Sequence, residues 1–309
     1  VTQRSDSIVA VTGGSGFIGR AVVDGLLESG FGVRALSRRD DASASLRKQG
    51  VGVVRGGLDD PLALAALVEG VDAVVHMAGA VKGARYKDFE TTNVDGSRTL
   101  LQAMAGSSTP LLALSSLAAR KPGLSFYAQS KATMEALFHN HTERVVAILR
   151  PPPVYGPGDR ALAPLFAAMA WGVAPMPVDP ESRVSLLYVD DLAAAVRAWL
   201  RTAGRVGGTY TLHDGTPNGY SWEDIIRIIE TKRRGPIRRL RVPSPLLTGS
   251  AWINQWLGRR LGFAPMLTPG KVRELRHPDW VCDNINWCRA VDWQPAVDLA
   301  EGFARLRGH

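Results

Sequence analysis

Tyr127 and Lys131 stand four residues apart in "SFYAQSK", just downstream of the pair Ser115-Ser116. In a helix their side chains leave the same face one turn apart. A phenol ordinarily titrates near pH 10 and exchanges protons poorly at neutrality unless a nearby positive charge favours its anion. Lys131 supplies such a charge. Ser116, at the end of an apolar run, is placed to hydrogen-bond the same substrate oxygen as the tyrosine. Together the three residues suit proton exchange with a hydroxyl or carbonyl. A Tyr-x-x-x-Lys pair alone would describe only a solvated helix face, so its meaning depends on what surrounds it.

The other chemistry-bearing run is "TGGSGFIG", where Gly13, Gly16 and Gly19 lie between an apolar β-branched segment and an amphipathic one. Glycines there permit a tight turn, and the following helix N-terminus can receive a pyrophosphate. The spacing resembles the TGxxGxxG turn of short-chain dehydrogenases, with "GFIG" similar to the extended branch of that family. The resemblance runs to about residue 212, with several motifs in order. It implies a cofactor cradle at Gly13, Gly16, Phe17, Ile18 and Gly19. It also implies a catalytic set in which Tyr127 moves the proton, Ser116 orients the substrate oxygen, and Lys131 holds the ribose and lowers the phenol pKa. Asn93 in "TTNVDG" matches the helix asparagine that organises this site. "HMAGA" is similar to the family's segment beside the cofactor, which implies roles for Ala78 and Gly79. His76 within it reads as a core histidine.

An acid about 20 residues beyond the glycines would grip a ribose 2′-hydroxyl. That position holds Ser37, followed by Arg38 and Arg39. Arginine pairs with a 2′-phosphate, so NADP(H) is favoured, with NAD(H) left open. The arginines would otherwise only solvate a strand end. After the third apolar run the family usually has Gly-Asp-Leu. Here "GGLDD" puts Gly57 where the acid stands, followed by Leu58 and Asp59, so adenine recognition leans on backbone and Leu58.

Such residues need a scaffold, and the chain supplies one. Strand-like runs "SIVAV", "FGVRALS", "GVGVVR", "VDAVVHM", "PLLALSS" and "RVVAILR" alternate with helical patterns. The expected fold is α/β: a Rossmann-type doubly wound parallel sheet with a smaller C-terminal substrate domain. Residues 1–154 are expected to bind the dinucleotide, with 184–212 rejoining them, while 155–183 and 213–309 form the substrate domain.

The 309 residues are 45% hydrophobic, enough for a sizeable core. No apolar stretch reaches the roughly 20 residues of a membrane span, and the N-terminus shows no secretory pattern. Cytoplasm is the default. Cys282 and Cys288 suit neither a disulfide framework nor a zinc site, and no metal is expected. The net charge is +8, yet apart from "KRRGPIRRLR" the basic residues are scattered and carry no nucleic-acid motif. Anionic small ligands are the expected partners, and the resemblance implies a homodimer.

Departures from the family pattern narrow the substrate. Leu117 and Ala118 follow Ser116 where sugar-nucleotide dehydratases carry an Asp-Glu pair. In "RPPPVYGPGD", Pro153 replaces the asparagine that contacts a substrate diphosphate in many nucleotide-sugar enzymes, and the run is similar to hydroxysteroid dehydrogenase-like and other reductase branches. Lys82, Pro153 and Arg183 are the candidate substrate contacts. The run "SPLLTGSAWINQWLGRRLGFAPML" reads as core and lid packing, with a lipophilic pocket lining or a membrane-surface contact as alternatives. The leading expectation is an NADP(H)-dependent oxidoreductase acting on a secondary alcohol or ketone. An epimerase retaining its cofactor and a non-catalytic dinucleotide-binding subunit are the alternatives.

Overall fold

The computed structural model describes residues 7–141, 143–176 and 180–307. Residues 1–6, where no secretory pattern was read, and 177–179 of the proline-rich run lie outside the described residues. The first half alternates regularly: β1 (Ile8–Thr12), α1 (Phe17–Glu28), β2 (Gly32–Ser37), α2 (Asp40–Lys48), β3 (Gly52–Arg55), α3 (Pro61–Val68), β4 (Ala73–His76), α4 (Tyr86–Glu90), α5 (Gly96–Ala103), β5 (Leu111–Leu114), α6 (Phe126–His139) and β6 (Val146–Arg150). Then follow β7 (Val154–Tyr155), α7 (Ala163–Ala170), β8 (Val173–Met176), β9 (Arg183–Val184), β10 (Leu187–Tyr188), α8 (Val189–Arg201) and β11 (Gly208–Thr211). The last third holds β12 (Tyr220–Ser221), α9 (Trp222–Arg233), β13 (Arg238–Arg241), α10 (Ser244–Leu261), α11 (Pro269–Leu275), β14 (Asp279–Trp280), α12 (Ile285–Ala290) and α13 (Leu299–Arg307).

Seven parallel strands form the central sheet in the order β11-β6-β5-β4-β1-β2-β3. The chain winds one way from β1 to β3 and the other way from β4 onward. This places the topological switch between β1 and β4, where such sheets bind ligands at their carboxyl ends.

Alternation along β1 explains why both faces are covered. Val9 and Val11 join the cluster that includes Val22, Val23 and Leu26 of α1 and Val196 and Trp199 of α8. Ala10, between them, faces Leu64, Leu100 and Phe138 of α3, α5 and α6. Each fully buried aliphatic side chain contributes about 1.5–3 kcal/mol, so a single charge at Val11 would undo this layer.

Helix α1 buries Val22, Val23 and Leu26 and stops at Gly30, whose φ of +85° suits a left-handed C-terminal turn. The amides of Gly30 and Phe31 close that turn on Leu27 and Leu26 carbonyls. Helix α8 packs on α1, and β11 extends the sheet beside β6. A separate cluster around Tyr155, Phe166, Ile226, Ile229 and Phe303 holds the later elements together.

Candidate active site

At the switch point, the turn after β1 meets the end of β4. Gly13 has φ +76°, and a Cβ there would lie 2.6 Å from the Ala78 amide nitrogen. Only glycine lets the two strand ends approach so closely. A Cβ at Gly19 would lie 2.0 Å from the Gly13 carbonyl oxygen, so the first turn of α1 also requires its glycine. Gly16 caps α1 without any side chain, and no acidic residue sits in the first turn. The amides and dipole at this N-terminus are left for an anion.

A cavity of about 2040 Å³ runs from Gly13, Gly16, Phe17, Ile18 and Gly19 to Ser116 and Tyr127. Helix α6 begins one residue before the tyrosine because Ser125 caps it, its hydroxyl accepting from the Ala128 amide at 3.0 Å. Ser116, beyond β5, lies close enough to the Tyr127 phenol to stabilise its anion. Burial pushes that phenol up to about 12; the Ser116 contact pulls it down and the Glu274 carboxylate pushes it up further.

Lys131 lies one turn along the buried face of α6. Its ammonium donates to the Leu114 carbonyl at 2.8 Å. Burial pulls its pKa down to about 8 against the opposing attraction of Glu135. Glu135 is itself buried, bound by Arg150 at 2.9 Å and by the Ser115 hydroxyl.

Asn93 is fully buried in a π-helical turn spanning Thr91–Asp95, a local widening common at functional sites. Its amide grips the Ala80 backbone from both sides: Oδ1 accepts from the nitrogen at 2.7 Å and Nδ2 donates to the carbonyl at 3.0 Å. Nδ2 also donates to the Ser130 hydroxyl, which donates to the Tyr127 carbonyl. Asn93 thus ties the segment after β4 to α6. A Cβ at Gly79 would lie 3.1 Å from Asn93 Oδ1 and 3.3 Å from Lys131 Nζ, which sets Gly79 directly against both.

His76 is saturated. The Thr12 hydroxyl donates to Nδ1 at 2.7 Å while accepting from the Ala78 amide, and Nε2 donates to Ser97 at 2.9 Å, which passes its own proton to the Asn93 carbonyl. Burial pulls this imidazole down to about 3, so it is neutral. It is a core strut between the glycine turn and the π-helical turn.

Residues 9–212 match the model of the NAD dependent epimerase/dehydratase family. The chain belongs to that family. It is therefore an enzyme of an NAD(P)-dependent lineage. Over 93% of its length it is 33% identical to the ceramide reductase of Caulobacter vibrioides, covering 96% of that protein. It is 30% identical to the 2-alkyl-3-oxoalkanoate reductase of Stenotrophomonas maltophilia, with 97% and 98% of the two chains covered. The UDP-glucose 4-epimerase structure from Thermotoga maritima superposes with a TM-score of 0.74 over 97% of this chain and 99% of that one. At 19% identity this likeness concerns the fold alone.

Past β2 stand the residues expected to meet the far end of a dinucleotide. The Ser37 hydroxyl is buried, donating to the Arg39 carbonyl and accepting from Ser43, so it serves the entry to α2. Arg38 is exposed and joins Arg55, Gly56, Gly57 and Asp59 around a small open hollow. Leu58 packs on Gly96 of α5. Arg55, which donates to Ser43 and pairs with Asp40 at 2.8 Å, is a cation the motif reading missed. Its place at the end of β3, next to the β2 strand end, was the available signal.

Lys82, Pro153 and Arg183 all line the large cavity. Arg183 is held by the Asn218 and Gly219 carbonyls at 2.8 and 3.1 Å and lies 3.7 Å from Asp224, so its position is set by the β12 side of the molecule. Two residues of α11 were not legible. Glu274 is buried, accepts from the Ser125 hydroxyl and pairs with Lys271 at 2.9 Å beside the tyrosine. They lie far along the chain from Tyr127 in a run without a motif, and the close approach of Gly270 to Ser125 and the bond from Arg273 to the Leu124 carbonyl bring them in.

Proposed function

We propose that the chain is an NADP(H)-dependent reductase of the extended short-chain type that converts a ketone on a lipophilic substrate to a secondary alcohol. The observation carrying this reading is the Tyr127 phenol, set beside Ser116 in the same cavity as the glycine turn and held protonated by burial. A phenol kept protonated suits donation to the oxygen of a ketone under reduction, with Ser116 orienting that oxygen.

The fit to a dinucleotide rests on the tight turn whose close backbone approaches require Gly13 and Gly19, and on the uncapped N-terminus of α1. Gly13, Gly16, Phe17, Ile18 and Gly19 would hold the pyrophosphate, Ala78 and Gly79 would border the nicotinamide ribose, and Lys131 would bond its hydroxyls. Arg38, with Ser37 and Leu58 beside it, would face a 2′-phosphate and adenine. When bound, the reduced nicotinamide supplies the hydride. Asn93 keeps Tyr127 and the segment holding Gly79 in register through Ser130 and Ala80.

Residues 1–154 and 184–212 would form the dinucleotide unit, and 155–183 with 213–309 the substrate unit. Lys82, Pro153 and Arg183 would meet the substrate. Two relatives similar over nearly the whole chain are named as reductases of ceramide and of 2-alkyl-3-oxoalkanoates, both alkyl-bearing molecules. Leu165, Leu247, Trp252 and Met266 line the cavity here and would suit such chains. Pro153 offers neither an amide donor nor a polar side chain to a nucleotide diphosphate, which weighs against the epimerase alternative.

The test is NADPH and NADH titration followed by NADPH consumption with 2-alkyl-3-oxo acids and long-chain keto-amides. Tyr127→Phe should keep NADPH affinity and lose about 10²–10⁴-fold in kcat. Arg38→Ala should weaken NADPH but not NADH. Co-purified NAD with turnover of a UDP-sugar would overturn the reading.

A further inference from the structure

Helix α10 is an 18-residue amphipathic element, roughly 27 Å long, whose apolar side faces outward. Its inner face is anchored. Ala251, Gln255 and Gly258 are buried, Gln255 donates to the Ala84 carbonyl at 2.7 Å, and Asn254 donates to the Leu267 carbonyl at 2.9 Å. Its outer face carries Leu246, Ile253 and Trp256, 68%, 62% and 57% exposed, with Trp252 beside them. Positions 246, 253 and 256 share one helical face. Leu261 and Phe263 extend the exposed apolar surface past the C-terminus. Scattered exposed apolar residues need no explanation, but an aromatic stripe of this kind does.

Charge identifies what meets it. From residue 231 to 273 the chain has ten Lys or Arg and no Asp or Glu. Among the described residues Arg238, Arg241, Arg259 and Arg260 are exposed and in no salt bridge, and the Arg260 guanidinium lies over the Trp256 ring at 5.8 Å. Tryptophan with arginine on an exposed helix face is the pattern of an element lying in a membrane interface, and an acid-free basic stretch complements anionic headgroups. Among the described residues no helix is long and apolar enough to cross a bilayer, so α10 would lie on one.

The stripe also adjoins the cavity. Leu247, Trp252 and Arg259 of α10 line it, as do exposed Val81 and Lys82 on the facing loop. We propose that α10 docks the protein on an anionic lipid bilayer, with Leu246, Ile253 and Trp256 inserted among the headgroups and the cavity opening toward the lipid. Entry of a lipophilic ketone by that route rests on the function proposed above; the docking does not.

The test is co-sedimentation and tryptophan fluorescence of the full chain with vesicles of phosphatidylcholine, alone or with about 30% phosphatidylglycerol. Binding to the anionic vesicles with a blue shift is expected, falling steeply with salt. Ile253→Ser/Trp256→Ser should weaken it about tenfold or more, and Arg241→Gln/Arg260→Gln by a similar factor. Neither pair lines the cavity, so NADPH affinity should stay at the wild-type value and report the fold. Equal binding to neutral and anionic vesicles, no binding to either, or binding indifferent to both variants would overturn the proposal. So would a wild-type dimer in sedimentation velocity that Ile253→Ser/Trp256→Ser turns into a monomer, since a second copy would then cover this face. Loss of reductase activity with vesicle binding intact would strike the function above and leave the docking standing.

Discussion

Lys131→Met should make the protein without cofactor more stable at pH 7 while removing its activity. The wild-type ammonium titrates near 8 in the folded chain and near 10.5 when unfolded. The difference corresponds to about 3 kcal/mol that burying the charge costs at neutrality. Methionine removes this term and fills much of the same space. Against it stands the Leu114 carbonyl, which loses its 2.8 Å donor at about 1 kcal/mol. Glu135 is not orphaned, because Arg150 and Ser115 still bind it. The net gain is about 2 kcal/mol, or roughly 4–8 °C in Tm for a core of this size. The sign changes with pH. Between the two pKa values the unfolded chain binds the extra proton, so wild-type stability rises from pH 8 to 10.5 and the advantage of the variant disappears. Calorimetry of both proteins at pH 7 and pH 10 reads this directly. A variant less stable at pH 7, or an offset unchanged at pH 10, would refute the claim that Lys131 is buried at a cost to the fold.

Three further outcomes follow from named contacts. Ser116→Ala should lower kcat/KM and move the alkaline limb of its pH profile upward, whereas Glu274→Gln should move that limb downward, because the two groups act on the Tyr127 phenol in opposite directions. His76→Leu should cost about 2–4 kcal/mol at pH 7 by stripping partners from Thr12 and Ser97, measurable by urea unfolding. It should also flatten the acid side of the stability curve. Wild-type His76 is held near 3 while the unfolded imidazole titrates near 6.5, so stability is lost as pH falls through that window, by up to about 5 kcal/mol. Gly19→Ala should abolish NADPH binding in fluorescence titration, since its Cβ has no space beside the Gly13 carbonyl.

What could be read from the chain depended on how local the governing physics is. The strands of the sheet announce themselves because β1, β4 and β5 are buried on both faces and read as unbroken apolar runs. The glycine turn was legible for a related reason: Gly16 and Gly19 crowd the Gly13 carbonyl within six residues, although Gly13 also clears the Ala78 backbone and Gly14 meets Val23. The run "TTNVDGSRTLLQAMA" has a helical pattern, and it folds as a π-helical turn that runs into α5. Periodicity did not reveal this, because the register is set by the Asn93 amide gripping Ala80 across the structure.

The tyrosine's surroundings mark the same boundary. The sequence offered Lys131 as its modulating charge, one turn away. In the folded chain that ammonium is turned to the Leu114 carbonyl, and the side chains acting on the phenol are Ser116 and Glu274. The helix α10 run shows the converse limit. Leucine and tryptophan in a basic stretch have one composition whether they cover a core or face outward, and only the anchored inner row of Ala251, Gln255 and Gly258 decides that Ile253 and Trp256 face out. A hydrophobic pattern fixes which residues share a helix face, and the partners of the opposite face determine whether that face is core or interface.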